Sequence, residues 1–269
     1  MRNFRYTRTL SEIDFSNMQK GKSSNYQDLY DRVGRLTGWD FSRLKVSSSG
    51  EKWDFYKEVI KKAGKSSLLL DIGTGGGERI LKIAQNFLLI VGVDLSISMI
   101  GTAKKNLQKS QSANVRFFQM DARSIAFPNS FFDVISCRHS PFFADEVYRL
   151  IRKGGYFLSQ QVSEHDKLNI KQAFGRGQKF GEKDGKAMQS YVKNLKKAGF
   201  SEIRTFNYDA VELYKTPDDL IFLLRNTPII DDFGKQPKDF EILSAFIEQN
   251  TETKGIRTNS KRYLIVAKK

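Results

Sequence analysis

Apolar residues follow two rhythms along this chain, and the alternation between them organises most of it. Apolar and β-branched runs at Ser67–Ile72, Leu88–Val93, Val115–Met120, Phe132–Ser136 and Tyr156–Gln161 read as strands. Between them, apolar positions return at helical intervals over Gly77–Asn86, Ile97–Lys109, Phe143–Arg152 and Asp184–Ala198. Glu51 to Ala63 repeats the helical spacing through Trp53, Tyr56, Val59, Ile60 and Ala63, and Gly64 ends it. Two further strands are expected near Glu202–Tyr208 and Arg262–Ala267, with helical runs at Leu220–Arg225 and Phe240–Gln249 between them. Strands alternating with helices predict an α/β fold: a parallel, doubly wound sheet with helices on both faces. Residues 1–50 are polar and aromatic, are broken at Ser23-Ser24-Asn25 and Ser47-Ser48-Ser49-Gly50, and hold one short helical pattern, Tyr26–Leu36. They read as a helical or irregular extension to a domain spanning 51–269, which carries an insertion over about 209–258 before the last strand.

The strand ends hold the chemistry. In open α/β sheets ligands bind at the carboxyl edge of the strands. There, Leu68-Leu69-Leu70-Asp71-Ile72 runs into Gly73-Thr74-Gly75-Gly76-Gly77-Glu78. Glycine allows positive φ and close approach of a ligand to the backbone. A dinucleotide loop would need G-x-G-x-x-G with pyrophosphate at the helix N-terminus. Here position 78 is Glu, which repels a phosphate and suits a ligand bearing positive charge. The second strand ends in Asp94, placed to accept hydrogen bonds from ribose hydroxyls. The alternative is a helix N-cap, a role that Ser96 also fills. Asp121 ends the third strand and could accept from an adenine amino group or simply close a turn.

Composition narrows the setting. A chain of 269 residues, 39% hydrophobic and 28% charged, suits one large soluble domain with an appendage. No apolar run reaches transmembrane length, and Met1-Arg2-Asn3-Phe4-Arg5-Tyr6 lacks the apolar core of a signal peptide. A single cysteine, Cys137, excludes an internal disulfide and a cysteine-based zinc ribbon. A cytoplasmic protein without a metal site is expected. The net charge of +15 raises the prospect of a polyanionic partner such as RNA. The basic residues are spread along the chain, however, as a solvated basic surface would also require.

Taken together, Leu70-Asp71-Ile72-Gly73-Thr74-Gly75-Gly76-Gly77, Gly92-Val93-Asp94-Leu95-Ser96, Met120-Asp121-Ala122, Phe131-Phe132-Asp133-Val134-Ile135 and Leu150-Ile151-Arg152-Lys153-Gly154-Gly155-Tyr156 resemble the class I S-adenosylmethionine-dependent methyltransferases. The subgroup is the ubiquinone- and menaquinone-biosynthesis-like one, often called type 11. Lys153 departs from the proline usual there. The resemblance implies a seven-stranded sheet of order 3-2-1-4-5-7-6 with strand 7 antiparallel, and S-adenosylmethionine as cofactor. It implies that Asp71, Gly73, Thr74, Gly75 and Glu78 meet the methionine end, and that Asp94 holds the ribose. Leu95 and Met99 would lie beside the adenine, Asp121 and Ala122 at its edge, and Cys137 and Arg138 near the sulfonium.

Methyl transfer from a sulfonium is an in-line displacement, so the protein mainly positions the acceptor. Arg138 and His139, after the fourth strand, are candidates to orient or deprotonate it. His165, between Glu164 and Asp166 after the fifth, is a second candidate base. Phe174-Gly175-Arg176-Gly177-Gln178-Lys179-Phe180-Gly181 reads as a loop for an anionic substrate or as a plain connector. Asp219 to Pro228 is similar to the region before the last strand in bacterial 23S rRNA guanine-N1 methyltransferases. Those enzymes carry a four-cysteine zinc module, and no cysteine precedes Cys137 here. The expected acceptor is a small molecule. An RNA base is the alternative, and a non-catalytic cofactor-binding protein is a third reading.

Overall fold

The computed structural model describes residues 43–269. The helix expected over Tyr26–Leu36 lies outside them. Strand β1, Val46–Ser49, comes first, followed by helix α1, Phe55–Ile60. The alternating core then runs β2 (Leu68–Ile72), α2 (Glu78–Leu81), β3 (Leu89–Asp94), α3 (Ile97–Ser110), β4 (Val115–Gln119), β5 (Phe132–Arg138), α4 (Ala144–Leu150) and β6 (Ile151–Val162). Helices α5 (Leu168–Phe174) and α6 (Lys186–Ala198) lead to β7 (Glu202–Tyr214). Helices α7 (Pro217–Asn226) and α8 (Asp239–Asn250), the short β8 (Thr251–Glu252) and β9 (Gly255–Lys268) complete the described chain.

The sheet has nine strands, not the seven expected. Its order is β1-β7-β9-β6-β5-β2-β3-β4, with β8 paired to β9. The seven long-expected strands keep the order β4-β3-β2-β5-β6-β9-β7 inside it, and β9 is antiparallel to both β6 and β7. One addition is β1, the Ser47-Ser48-Ser49 stretch read as a break, which pairs with the end of β7. An edge strand needs only backbone hydrogen bonding on one side, so serines serve. Strands β7 and β9 run 13 and 14 residues, far beyond the lengths read from the sequence. The two ends of the insertion assigned to 209–258 are therefore ribbon, and its helical part lies between Tyr214 and Gly255.

Alternation places successive side chains on opposite faces of the sheet. On one face Leu70, Ile72, Ile135, Cys137 and Phe157 pack against Val147, Leu150 and Leu195 from α4 and α6. On the other, Leu69, Val134 and Leu158 pack against Phe55 and Val59 of α1 and Ile100 and Ala103 of α3. A third cluster joins Ile170 and Phe174 of α5, Leu220 and Leu224 of α7, Leu243 and Phe246 of α8, and Tyr214 and Ile256 at the ribbon end. Each cluster removes a contiguous apolar surface from water, which dominates the folding energy.

Two helical readings change. The run Gly77–Asn86 splits into α2, of four residues, and a 3-10 turn over Ala84–Asn86. Helix α5 has no counterpart among the expected elements, because Lys167 and Lys171 interrupt its apolar pattern. Both lysines are buried.

Candidate functional site

The glycine loop is made by the residues on either side of it. Gly73 and Thr74 donate backbone N–H groups to Val93 O at 2.8 and 3.0 Å, fixing the loop to the end of β3. Gly73, Gly75 and Gly77 have φ of 71°, 58° and 76°, the left-handed region. A Cβ on Gly73 would stand 2.2 Å from the Ser140 Cβ, and one on Gly77 would enter the Phe117 ring. Asp94 accepts from Gly75 N at 2.9 Å with one oxygen and from Ser96 N at 2.9 Å with the other. Ser96 in turn caps α3 by accepting from Met99 N. Glu78 lies in the first turn of α2, where its carboxylate accepts from Asn106 on α3 at 3.2 Å. Asn106 also donates to Gly76 O, so the pair braces the loop.

Asp71 is fully buried beside that loop, in register with Gly92 and Ser136. Ser136 Oγ donates to it at 2.5 Å. Burial nonetheless pushes its pKa up from 3.8 to about 7, against the pull of Ser136. Thr74 Oγ1 is buried with no partner at hydrogen-bonding geometry among the described residues, although its nearness helps to hold charge on Asp71.

Ser136 and Arg138 leave β5 on the same face as Asp71, the face covered by α1. Four side chains from three other places join them there. Trp53 Nε1, just before α1, donates to Gln160 Oε1 on β6 at 2.8 Å. Gln160 Nε2 lies 3.2 Å from His139 Nε2. An indole can only donate, so it orients the Gln160 amide with its NH₂ toward the histidine. His139 Nε2 must then accept, and the ring proton sits on Nδ1. Burial first, then the charges of Arg138 and Arg262, hold the His139 pKa well below 6.5, and the imidazole is neutral. Tyr56, on α1, is within electrostatic reach of Asp71, Arg138 and Arg79; burial, and next Asp71, raise its pKa and keep it a neutral donor. Trp53 packs on Tyr208 of β7 with ring centroids 4.5 Å apart.

Other sequence candidates lie elsewhere. Cys137 points to the opposite face and is fully buried; its thiol donates to Ser140 O at 3.1 Å, and burial raises its pKa. Asp121 is held by Arg123, with side-chain contacts of 2.6–3.1 Å and the Arg123 backbone N–H at 2.9 Å, which lower its pKa. Ala122 is half-buried next to it, Met99 is buried and Leu95 is exposed. His165 is not part of a pair with its chain neighbours. Glu164 accepts from Gly185 N and Ala187 N at the start of α6, and Asp166 binds Arg262. The carboxylate nearest to His165 is instead Asp184, at 4.0 Å. Arg176, in the glycine-rich segment, is tied to Asp239 of α8 at 2.5 Å, so that segment is stitched to the insertion. A groove of about 460 Å³ lies between α6 and β7, lined by Met188, Val192, Ile203 and neighbours, and shares no residue with the glycine loop.

Sequence reading missed Trp53, Tyr56 and Gln160 as site residues. Trp53 and Tyr56 were read as part of an apolar stripe, and only their polar atoms carried a further signal. Among the described residues no group of histidine, cysteine and carboxylates could hold a metal, and no helix is long and apolar enough to cross a membrane.

Comparison with known proteins extends this picture. Residues 69–155 match a family model described as a methyltransferase domain. The chain is 36% identical over 97 residues to the uncharacterized methyltransferase YcgJ of Bacillus subtilis, covering 34% of this chain and 38% of that protein. It is 25% identical over 171 residues to the demethylmenaquinone methyltransferase of Lactococcus lactis, covering 58% of this chain and 66% of that one. The chain thus spans less than two thirds of the length of these relatives. The crystal structure of YcgJ shares the fold with a TM-score of 0.55 at 21% identity, over 79% of this chain and 97% of that one. The cyclase SpnF does so with a TM-score of 0.57 at 15% identity, over 91% and 95%. These structural likenesses establish the fold alone.

Proposed function

We propose that this chain, whose residues 69–155 form a class I S-adenosylmethionine-dependent methyltransferase domain of the type 11 kind, transfers a methyl group from that cofactor to a small-molecule acceptor. One observation carries the reading: a positive-φ glycine loop braced by Asp94 stands beside a buried carboxylate, Asp71, and an unsatisfied hydroxyl, Thr74. That donor set fits the cofactor. A carboxylate oxygen can accept two hydrogen bonds, so Asp94 can brace Gly75 and hold a ribose hydroxyl together. Asp71 answers an ammonium, and no phosphate is present to be repelled by Glu78.

The cofactor supplies an electrophilic methyl group on a sulfonium. The chain's own residues bind, orient and exclude water. In this reading Gly73, Thr74 and Gly75 cradle the amino-acid end, Leu95 and Met99 flank the adenine, and Asp121 and Ala122 meet its edge. His139 does not act as a base in the described arrangement: its Nε2 lone pair is taken by Gln160, and its neighbours depress its basicity. In this reading the acceptor presents an atom that His139 does not have to deprotonate before transfer. We assign the protein to the cytoplasm, where its single thiol stays reduced.

The test is tritiated methyl transfer from S-adenosylmethionine into a small-molecule extract and, in parallel, total RNA. Label in the extract is expected. Label only in RNA would select the RNA reading that the +15 charge invites, and label in neither would favour a non-catalytic binder.

A further inference from the structure

Arg138 is an exception among the enclosed cations of this protein. Lys167 is paired with Glu212 at 2.5 Å, Arg262 with Asp166 and Arg176 with Asp239. Lys171 donates to Gln178 O at 3.2 Å and to Glu164 O. The Arg138 guanidinium makes no hydrogen bond or ion pair with any described residue, although the protein encloses it on most sides and only part of it reaches solvent. Two further arginines, Arg79 and Arg262, lie within electrostatic range and add to the positive field. Asp71 is within electrostatic reach of Arg138 but makes no ion pair with it; its carboxylate is engaged by Ser136, and burial raises its pKa. An enclosed charge without a partner is costly unless a ligand supplies one.

Two neutral donors face the same region. His139 carries its proton on Nδ1, and the Tyr56 hydroxyl has no acceptor among the described residues. On the far side from Asp94, Arg138 neighbours Gln160 on the adjacent strand and Tyr208 on β7. Arg138 thus sits among β5, β6 and β7 with no counter-charge at its guanidinium. An oxyanion there would receive a planar fork of N–H donors, the geometry to which arginine is best suited.

We propose that Arg138 is the counter-ion for an oxyanion on the acceptor, and that the acceptor is a small molecule carrying a carboxylate or an oxygen of similar acidity. The proposal rests on the methyl-transfer reading and deepens it. It also accounts for the lack of a free base, since an anionic acceptor arrives without the proton that a base would remove.

The experiment uses the full chain with sodium benzoate as probe and benzyl alcohol as its neutral counterpart, followed by saturation-transfer NMR with and without S-adenosylhomocysteine. Saturable binding of benzoate but not of benzyl alcohol is expected. Arg138→Gln should weaken benzoate by at least about tenfold, as the loss of a charged hydrogen bond does, and Arg138→Lys should retain part of it. Calorimetry with S-adenosylhomocysteine and with 5′-methylthioadenosine, the same nucleoside without the amino-acid end, separates the sources of the anion. Under the proposal Arg138→Gln leaves both affinities unchanged. If it weakens S-adenosylhomocysteine and spares methylthioadenosine, Arg138 serves the cofactor's own carboxylate and the proposal is overturned. Benzoate binding that is absent, or indifferent to Arg138, overturns it too. Failure of the wild-type chain to bind either nucleoside would instead count against methyl transfer, while the benzoate titration without cofactor still reads Arg138.

Discussion

Asp71 is a carboxylate kept where water cannot reach it. Its pKa in the folded chain lies near 7, against 3.8 when solvated. The folded state therefore retains a proton that the unfolded state loses as pH rises from about 4 to about 7. Stability falls across that window and is level above it. Asp71→Asn removes the dependence, and at pH 8 it should stabilise the fold by up to about 4 kcal/mol, a gain absent at pH 4. Thermal melts of the two proteins at the two pH values check this. Function takes the opposite sense, because the ammonium of the cofactor needs the charged form. Affinity for S-adenosylhomocysteine should rise between pH 6 and 8 in the wild type and stay flat, and weak, in Asp71→Asn. Asp94→Ala should lower that affinity at every pH, since it removes both the ribose acceptor and the brace on Gly75. Calorimetry in which Asp94→Ala binds as well as wild type would withdraw the ribose assignment. At this scale the positions of Asp71 and Asp94 at the carboxyl edge of the sheet were legible, because each lies at the end of an apolar strand. The sequence did not carry Gln160, whose role depends on an indole distant in the chain.

The glycine loop and the insertion are the elements on which the site depends. At Gly73 both conformation and space require glycine: φ is 71°, and a Cβ would overlap Ser140. Gly73→Ala should cost about 2 kcal/mol or more in urea unfolding and abolish cofactor binding, because Ser140 belongs to the same loop layer as His139. Gly64→Ala, where a Cβ meets nothing within 4 Å, is the matched control. Within the insertion, Asp239 is fully buried and held by Arg176, Gly234 N and Gln236 N. Arg176→Ala leaves that carboxylate without its counter-charge and should cost about 3 kcal/mol, read as earlier proteolysis within residues 215–254. The helices of the core were legible from their spacing. Helix α5 was not, because its buried lysines are satisfied by Glu212 and by backbone carbonyls from other parts of the chain.

At the scale of the molecule, the order of the seven main strands follows from alternation and the family resemblance, while the two added strands do not. Serines at an edge and a two-residue pairing leave almost no pattern in a sequence. The residues that the resemblance assigns to the cofactor, Asp71, Asp94 and Asp121 among them, lie at the ends of neighbouring strands. The cluster of Trp53, Tyr56, Arg138, Gln160 and Tyr208 draws on α1 and the residues just before it, β5, β6 and β7 together, and no local motif records that convergence. The cyclase with the same fold is a reminder that architecture alone does not specify a reaction.

The long ribbon of β7 and β9 has an evolutionary consequence. Tyr214 and Ile256 are direct partners at its tip, and everything from Lys215 to Gly255 hangs from that one pair. A crossover in the gene at those two positions would exchange the helical segment for another while keeping the paired length of β7 and β9 inward of Tyr214 and Ile256. The apolar contacts of α5, the Arg176–Asp239 pair and the bonds of Lys45 to Lys215 and Asp219 would have to be matched again. Under the proposed function, lineages of this domain can thus exchange the segment beyond the ribbon as one cassette, while the glycine loop and its bracing strands are inherited intact.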